Sequence, residues 1–209
     1  DLSWQLNVVD NSINTERIKK ILIGDNYPTT LQSLVAPPKK FLVDRAKVIA
    51  DALINTALVS EDGRCTLVSY VSNITDSSYG YRPIGYDLAN GNMGISIFLL
   101  SLFSTTADIK YKDYGYKSLR PITDILKNYW SKSEFADQFG IGGTTGLGCM
   151  IYGFSYLFEI TKDRALIKAA EDFRDLITKE RIINSIRQDF VSGTAGCLLS
   201  LIKLNKIRP

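Results

Sequence analysis

The chain has 209 residues, enough for one domain or part of a larger one, with ordinary apolar content. Lys and Arg number 25 against 22 Asp and Glu, and the net charge of +3 implies neither a nucleic-acid nor a membrane-surface partner. There is no histidine, which excludes His-based acid–base catalysis, Ser–His triads and nearly all catalytic zinc sites from the chain alone.

The three cysteines, Cys65, Cys149 and Cys197, are odd in number and far apart, so they form no disulfide framework and suit a reducing cytoplasm. Each is expected to be a small buried apolar residue. No apolar run reaches the roughly 18 residues of a membrane span, and no signal peptide is visible.

Residues 1–39 differ in character from the rest. A short helix is expected over 15–23, broken by Gly24-Asp-Asn-Tyr-Pro28, and Pro37-Pro38 makes a stiff joint. The segment is expected to be a connector or the tail of a preceding domain. From Lys40 to Ser60 the spacing of Leu42, Ala46, Ile49, Leu53 and Ala57 predicts an amphipathic helix, closed by Glu61-Asp-Gly63. Residues 67–71 are a short apolar piece and 76–85 are turn-rich.

Three times thereafter a glycine-rich loop runs into an apolar stretch. Asp87-Leu-Ala-Asn-Gly-Asn-Met-Gly94 leads into 95–103, Gly140-Ile-Gly-Gly-Thr-Thr-Gly-Leu-Gly148 into 149–158, and Asp189-Phe-Val-Ser-Gly-Thr-Ala-Gly196 into 197–204. Aligning Gly94, Gly148 and Gly196 gives periods of 54 and 48 residues, the mark of an array of similar units. The apolar stretches carry no polar face, which predicts helices buried on every side; short buried strands are the alternative. The glycines are expected to supply backbone angles closed to other residues and to let the helix start pack tightly.

Between the loops lie amphipathic helices. Thr105-Thr-Ala-Asp108 is a capping region for a helix carrying Tyr111, Leu119, Ile122 and Tyr129, with a kink or break expected at Gly115 or Pro121. Asp163 opens another, with Leu166, Ala169, Ala170, Phe173, Leu176 and Ile177 inward. The fold class is therefore all-α, a partial (α/α) toroid of inner and outer helices over residues 40–209 with apolar surface at its open edge.

The loops are not nucleotide sites. Cys149 stands where a P-loop needs Lys, and Gly140-Ile-Gly142 lacks the third glycine of a dinucleotide fingerprint. Asp87 and Asp189 precede their loops at equivalent places; they suit either capping of a helix start or acid–base work, as a carboxylate pair does in glycoside hydrolysis.

The stretches 86–99, 146–152 and 189–196 resemble the first repeats of lanthionine synthetase C-like cyclases, closest to the cyclase half of the bifunctional type 2 lanthipeptide synthetases, the LanM enzymes. The resemblance covers about 40–209 and implies that 1–39 is the tail of a dehydratase domain. It implies a toroid with a zinc ion held by two Cys and one His, which activates a precursor-peptide thiol for addition to a dehydroamino acid. Only one functional position carries over: Asp189, in an acid–base or orienting role. The zinc-bearing motifs belong to repeats beyond Pro209, so no metal ligand or cofactor is expected within these residues. The implied partners are the precursor (lantibiotic) peptide, the remainder of the toroid and, through the open edge, another copy; no nucleic-acid partner or membrane span is expected. A non-catalytic peptide-binding scaffold and a toroid glycosidase are the alternatives.

Overall fold

The computed structural model describes residues 38–73, 78–127 and 129–208. The expected connector, with its helix over 15–23, lies outside the described residues. Helix α1 (Lys39–Thr56) comes first, then two antiparallel hairpins, β1 (Leu58–Val59) with β2 (Cys65–Thr66) and β3 (Val68–Asn73) with β4 (Ser78–Pro83). The further elements among the described residues are helices: α2 (Asn92–Thr106), α3 (Ile109–Ile125), α4 (Tyr129–Phe139), α5 (Leu147–Thr161), α6 (Arg164–Arg174), α7 (Lys179–Ile183) and α8 (Thr194–Ile207). The fold is all-α with two small hairpins.

The three apolar stretches form α2, α5 and α8, not strands. Helix α5 packs between α2 and α8, while α3 covers α2 and α6 covers α5. Residues without a wet face seek neighbours on several sides, and α5 finds them: Leu147, Met150, Ile151, Phe154 and Leu157 are fully buried. Close approach is set by glycine. A Cβ on Gly153 of α5 would press into the Met93 side chain of α2, and one on Gly115 of α3 would come within 2.7 Å of Leu100 Cγ.

The outer helices are amphipathic as the spacing predicts. In α6, Leu166, Ala169, Ala170 and Phe173 are buried, joined by Ile167. Asp108 and Asp163 cap α3 and α6 by accepting from Lys110 N at 3.1 Å and Ala165 N at 2.9 Å. The two inner-to-outer turns are copies of each other. Ala107 and Lys162 adopt the left-handed conformation at φ 59° and 61°, and the Thr106 and Thr161 hydroxyls each donate to the carbonyl four residues back at 2.8 Å. Asp163 also accepts from Tyr116 Oη at 2.9 Å, tying α3 to α6. Asp163→Ala is expected to cost about 1 kcal/mol or somewhat more, read as a lower urea midpoint at unchanged slope.

Four expectations change. The buried stripe of α1 is Val43, Ala46, Ala50 and Ile54, packed on α2 and α3, whereas Leu42 and Ile49 are exposed. The helix ends at Thr56, and Glu61-Asp-Gly63 turns the first hairpin instead. The turn-rich 76–85 stretch contributes β4, because each short strand needs a partner for its backbone groups. Pro121 lies inside a single helix α3, which ends at Ile125 and is followed by a turn at Leu126 and Lys127.

Candidate functional site

The three glycine loops meet at one end of the inner helices, and backbone hydrogen bonds lace them together. Leu88 N of the first donates to Thr144 O of the second at 3.2 Å. Gly143 N donates to Phe190 O of the third at 3.1 Å, and Thr144 N and Thr145 N both donate to Val191 O at 3.0 and 3.2 Å.

Each loop closes on its own helix in the same manner. Asn92 N donates to Gly85 O, Leu147 N to Gly140 O and Thr194 N to Arg187 O, at 2.9, 2.8 and 3.1 Å. These bonds fix the true register. The units are 55 and 47 residues apart by their first helical residues, Asn92, Leu147 and Thr194, not 54 and 48. Cys149, rather than Gly148, is level with Gly94 and Gly196.

The reason for the glycines also changes. The residues preceding the three helices, Gly91, Gly146 and Gly193, have φ of −145°, −179° and −116°, extended values open to any residue. What excludes a side chain is crowding: a Cβ on Gly91 would lie 2.5 Å from Gly85 O, and one on Gly193 2.5 Å from Arg187 O.

Asp189 sits in the third loop, exposed, and accepts from Ser192 N at 2.8 Å. That bond, aided by the Val191 amide and the Arg187 charge and opposed by partial desolvation, holds its carboxyl below the usual carboxylate range. A lowered folded pKa adds stability above the unfolded value that is lost as pH falls through the folded one. At neutral pH Asp189 is an anion able to orient a donor, and the lowered pKa makes it a weaker base than an ordinary carboxylate.

Asp87 holds the matching place in the first loop and accepts from Asn90 N at 2.5 Å. In the second loop Gly142 stands at that position. The two carboxylates thus lie two helix steps apart.

Beside the second and third loops lies an open groove of about 650 Å³, walled by α4, α7 and the loops. Arg187 and Ser192, on either side of Asp189, line it together with Asp137, Arg181 and Ile141. Arg181 pairs with Asp137 at 2.6 Å. Sequence reasoning did not single out Arg187 or Ser192; the signal was their place two before and three after Asp189.

The cysteines are buried and unpaired, on β2, α5 and α8. Burial, with the Asp87 charge adding to it, pushes the Cys149 thiol up to about 12; burial raises Cys197 to about 11 and also raises Cys65. All three are protonated thiols at neutral pH, whereas zinc takes thiolate. Iodoacetamide at pH 8 is expected to leave Cys149 unmodified in the folded chain and to label it in urea, read by peptide mass spectrometry. Among the described residues no group of three or more His, Cys, Asp or Glu could hold a metal ion. With no histidine in the chain, the residues present do not fit the zinc that the resemblance implies.

Among the described residues no helix is long and apolar enough to cross a membrane. No curated protein matches the chain. A family model described as lanthionine synthetase C-like protein matches residues 82–208, a span that opens at the end of β4 and takes in all three laced loops and their helices. The chain belongs to the lanthionine synthetase C-like family.

Proposed function

We propose that the chain is part of a cyclase, of the LanM type, that forms lanthionine and methyllanthionine rings in a precursor peptide. The observation that carries this reading is the family match over 82–208, which spans three glycine-loop units arranged side by side. Family membership supports a peptide as substrate. Ring formation adds a peptide Cys sulfur across the double bond of a dehydroalanine or dehydrobutyrine, with a proton delivered to the adjacent carbon.

The residues present would serve this reaction by holding and orienting the peptide. The open groove beside the loops is lined by Arg187 and Ser192, the sequence neighbours of the ionised Asp189 in the third loop. Asp189 would steer a proton from the adjoining loop. The chain has no histidine for the implied zinc donor set, so the 209 residues alone are expected not to cyclise a peptide. Three unpaired cysteines agree with a cytoplasmic setting.

The test is Asp189→Asn in the enzyme that carries this sequence. Asparagine keeps an oxygen to accept from Ser192 N, so the turn survives while the charge is lost. Ring closure leaves peptide mass unchanged, so it is followed as loss of alkylatable thiol from a dehydrated precursor. A fall of about 10²-fold or more in closure rate is expected from an acid–base role. An unchanged rate would favour the second reading, a non-catalytic peptide-binding scaffold, which the open groove also suits.

A further inference from the structure

Two grooves meet at one arginine. The open groove beside the second and third loops adjoins a smaller one of about 310 Å³, lined by Lys132 and Ser133 of α4 and by Asp172 and Asp175 at the end of α6. Thr178 and Arg181 line both. Helix α4 contributes to each groove, and neither draws a lining residue from α1 or α8.

Arg181 forms the partition. Its Nε and Nη2 donate to Asp137 Oδ1 at 3.1 and 2.6 Å, and its Nη1 donates to Leu176 O at 2.8 Å. The first two bonds tie α7 to α4 where the grooves meet. Little else fastens α7. It has no buried residue, and Ile183 beside Asn184 and Ile186 at the groove are 68% and 94% exposed. Among the described residues no other side-chain hydrogen bond or ion pair joins 178–186 to another helix. The Asp137 side chain is 63% exposed. A pair this wet favours its closed form by about fivefold at most, little enough for a ligand to reverse by binding the open form better.

The linings on the two sides of the partition are alike. Lys132, Asp172 and Asp175 stand on one side, Glu180 and Arg187 on the other, with Ile141 and Ile186 as apolar contacts. Donors and acceptors of both signs beside apolar side chains suit a peptide, whose backbone offers both and whose side chains vary.

We propose that the precursor peptide runs through both grooves and that the Arg181–Asp137 pair is the gate between them, opening to join them into one channel. This rests on the peptide-modifying reading above and adds where the peptide lies and what admits it. Opening exchanges the Asp137 carboxylate for peptide groups around the guanidinium.

Binding of a fluorescently labelled dehydrated precursor to the enzyme that carries this sequence, read as anisotropy, tests it without need of ring closure. Asp137→Ala is expected to lower Kd by about twofold to fivefold, because the peptide no longer has to open the pair. Ser133→Trp and, separately, Lys132→Trp fill the smaller groove and are expected to raise Kd by about tenfold; circular dichroism checks that each variant is folded. A Kd that Asp137→Ala leaves unchanged or raises overturns the gate. A Kd that neither tryptophan variant raises overturns the path through the smaller groove. The expected shifts in an enzyme that closes no ring would fault the ring-forming reading alone, whereas a wild-type enzyme that does not bind the precursor overturns both.

Discussion

Gly196→Ala is expected to destabilise the chain by about 3 kcal/mol, a drop of about 6–12 °C in Tm for a chain of this size. The added Cβ would fall on the Phe190 carbonyl oxygen and 2.7 Å from Gly143 Cα, and both are backbone atoms that cannot rotate aside. Gly143 faces it in the same manner, since its own Cβ would lie 2.8 Å from Gly196 Cα. The pair forms a seam between the second and third units. Gly140→Ala is the matched control. It has open space around it but φ of +71°, so only conformational strain remains, about 1 kcal/mol. Thermal melts of the two variants separate crowding from backbone preference.

Phe154→Ala is expected to cost about 3–5 kcal/mol. Phe154 is fully buried on α5 and stacks on Phe173 of α6, with ring centroids 5.7 Å apart at 15°. It stands where an inner helix meets its outer partner, and the cavity left would sit in the main core beside Leu166 and Ala170. Tyr152→Ala, two residues away, is expected to cost far less. Tyr152 is 37% exposed, on the one side of α5 that α2, α6 and α8 leave uncovered. Equal losses at the two positions in denaturant titrations would contradict the layer arrangement.

Much of this fold can be read from the residues. Helices without a polar face, introduced by glycine loops, announce α2, α5 and α8 because only burial on several sides suits such a sequence. The capping aspartates 108 and 163 are visible because a short acceptor before an apolar-periodic run satisfies free helix amides. What sequence spacing hides is detail set by tertiary contacts. Glycine in a loop does not declare whether it serves φ or closeness, and here the seam glycines serve closeness. The one-residue slip at Gly148 arose because Cys149 occupies the level position, its N–H bonded to Gly142 O at 3.0 Å. Helix α1 shows two candidate stripes one residue apart, and only packing on α2 selects Val43, Ala46, Ala50 and Ile54.

The candidate site was partly legible. Asp189 stands out as a candidate by its motif, but the lowering of its pKa depends on Ser192 N and Arg187, which only the folded turn brings to it. The groove beside it is made by α4 and α7, polar segments with weak periodicity, and could not be foreseen from the loops. Composition alone shows that the chain has no histidine for the ligand set that the resemblance implies.

The central claim is that the three glycine loops form one laced structure that sets the inner helices side by side. Amide hydrogen exchange tests it at Gly143, Thr144 and Thr145, which lie in a loop near the surface yet donate to Phe190 and Val191. The account predicts that these three amides are strongly protected in the native chain and lose that protection together in Gly196→Ala. Exchange at the rate of an open loop in the wild-type chain would contradict it.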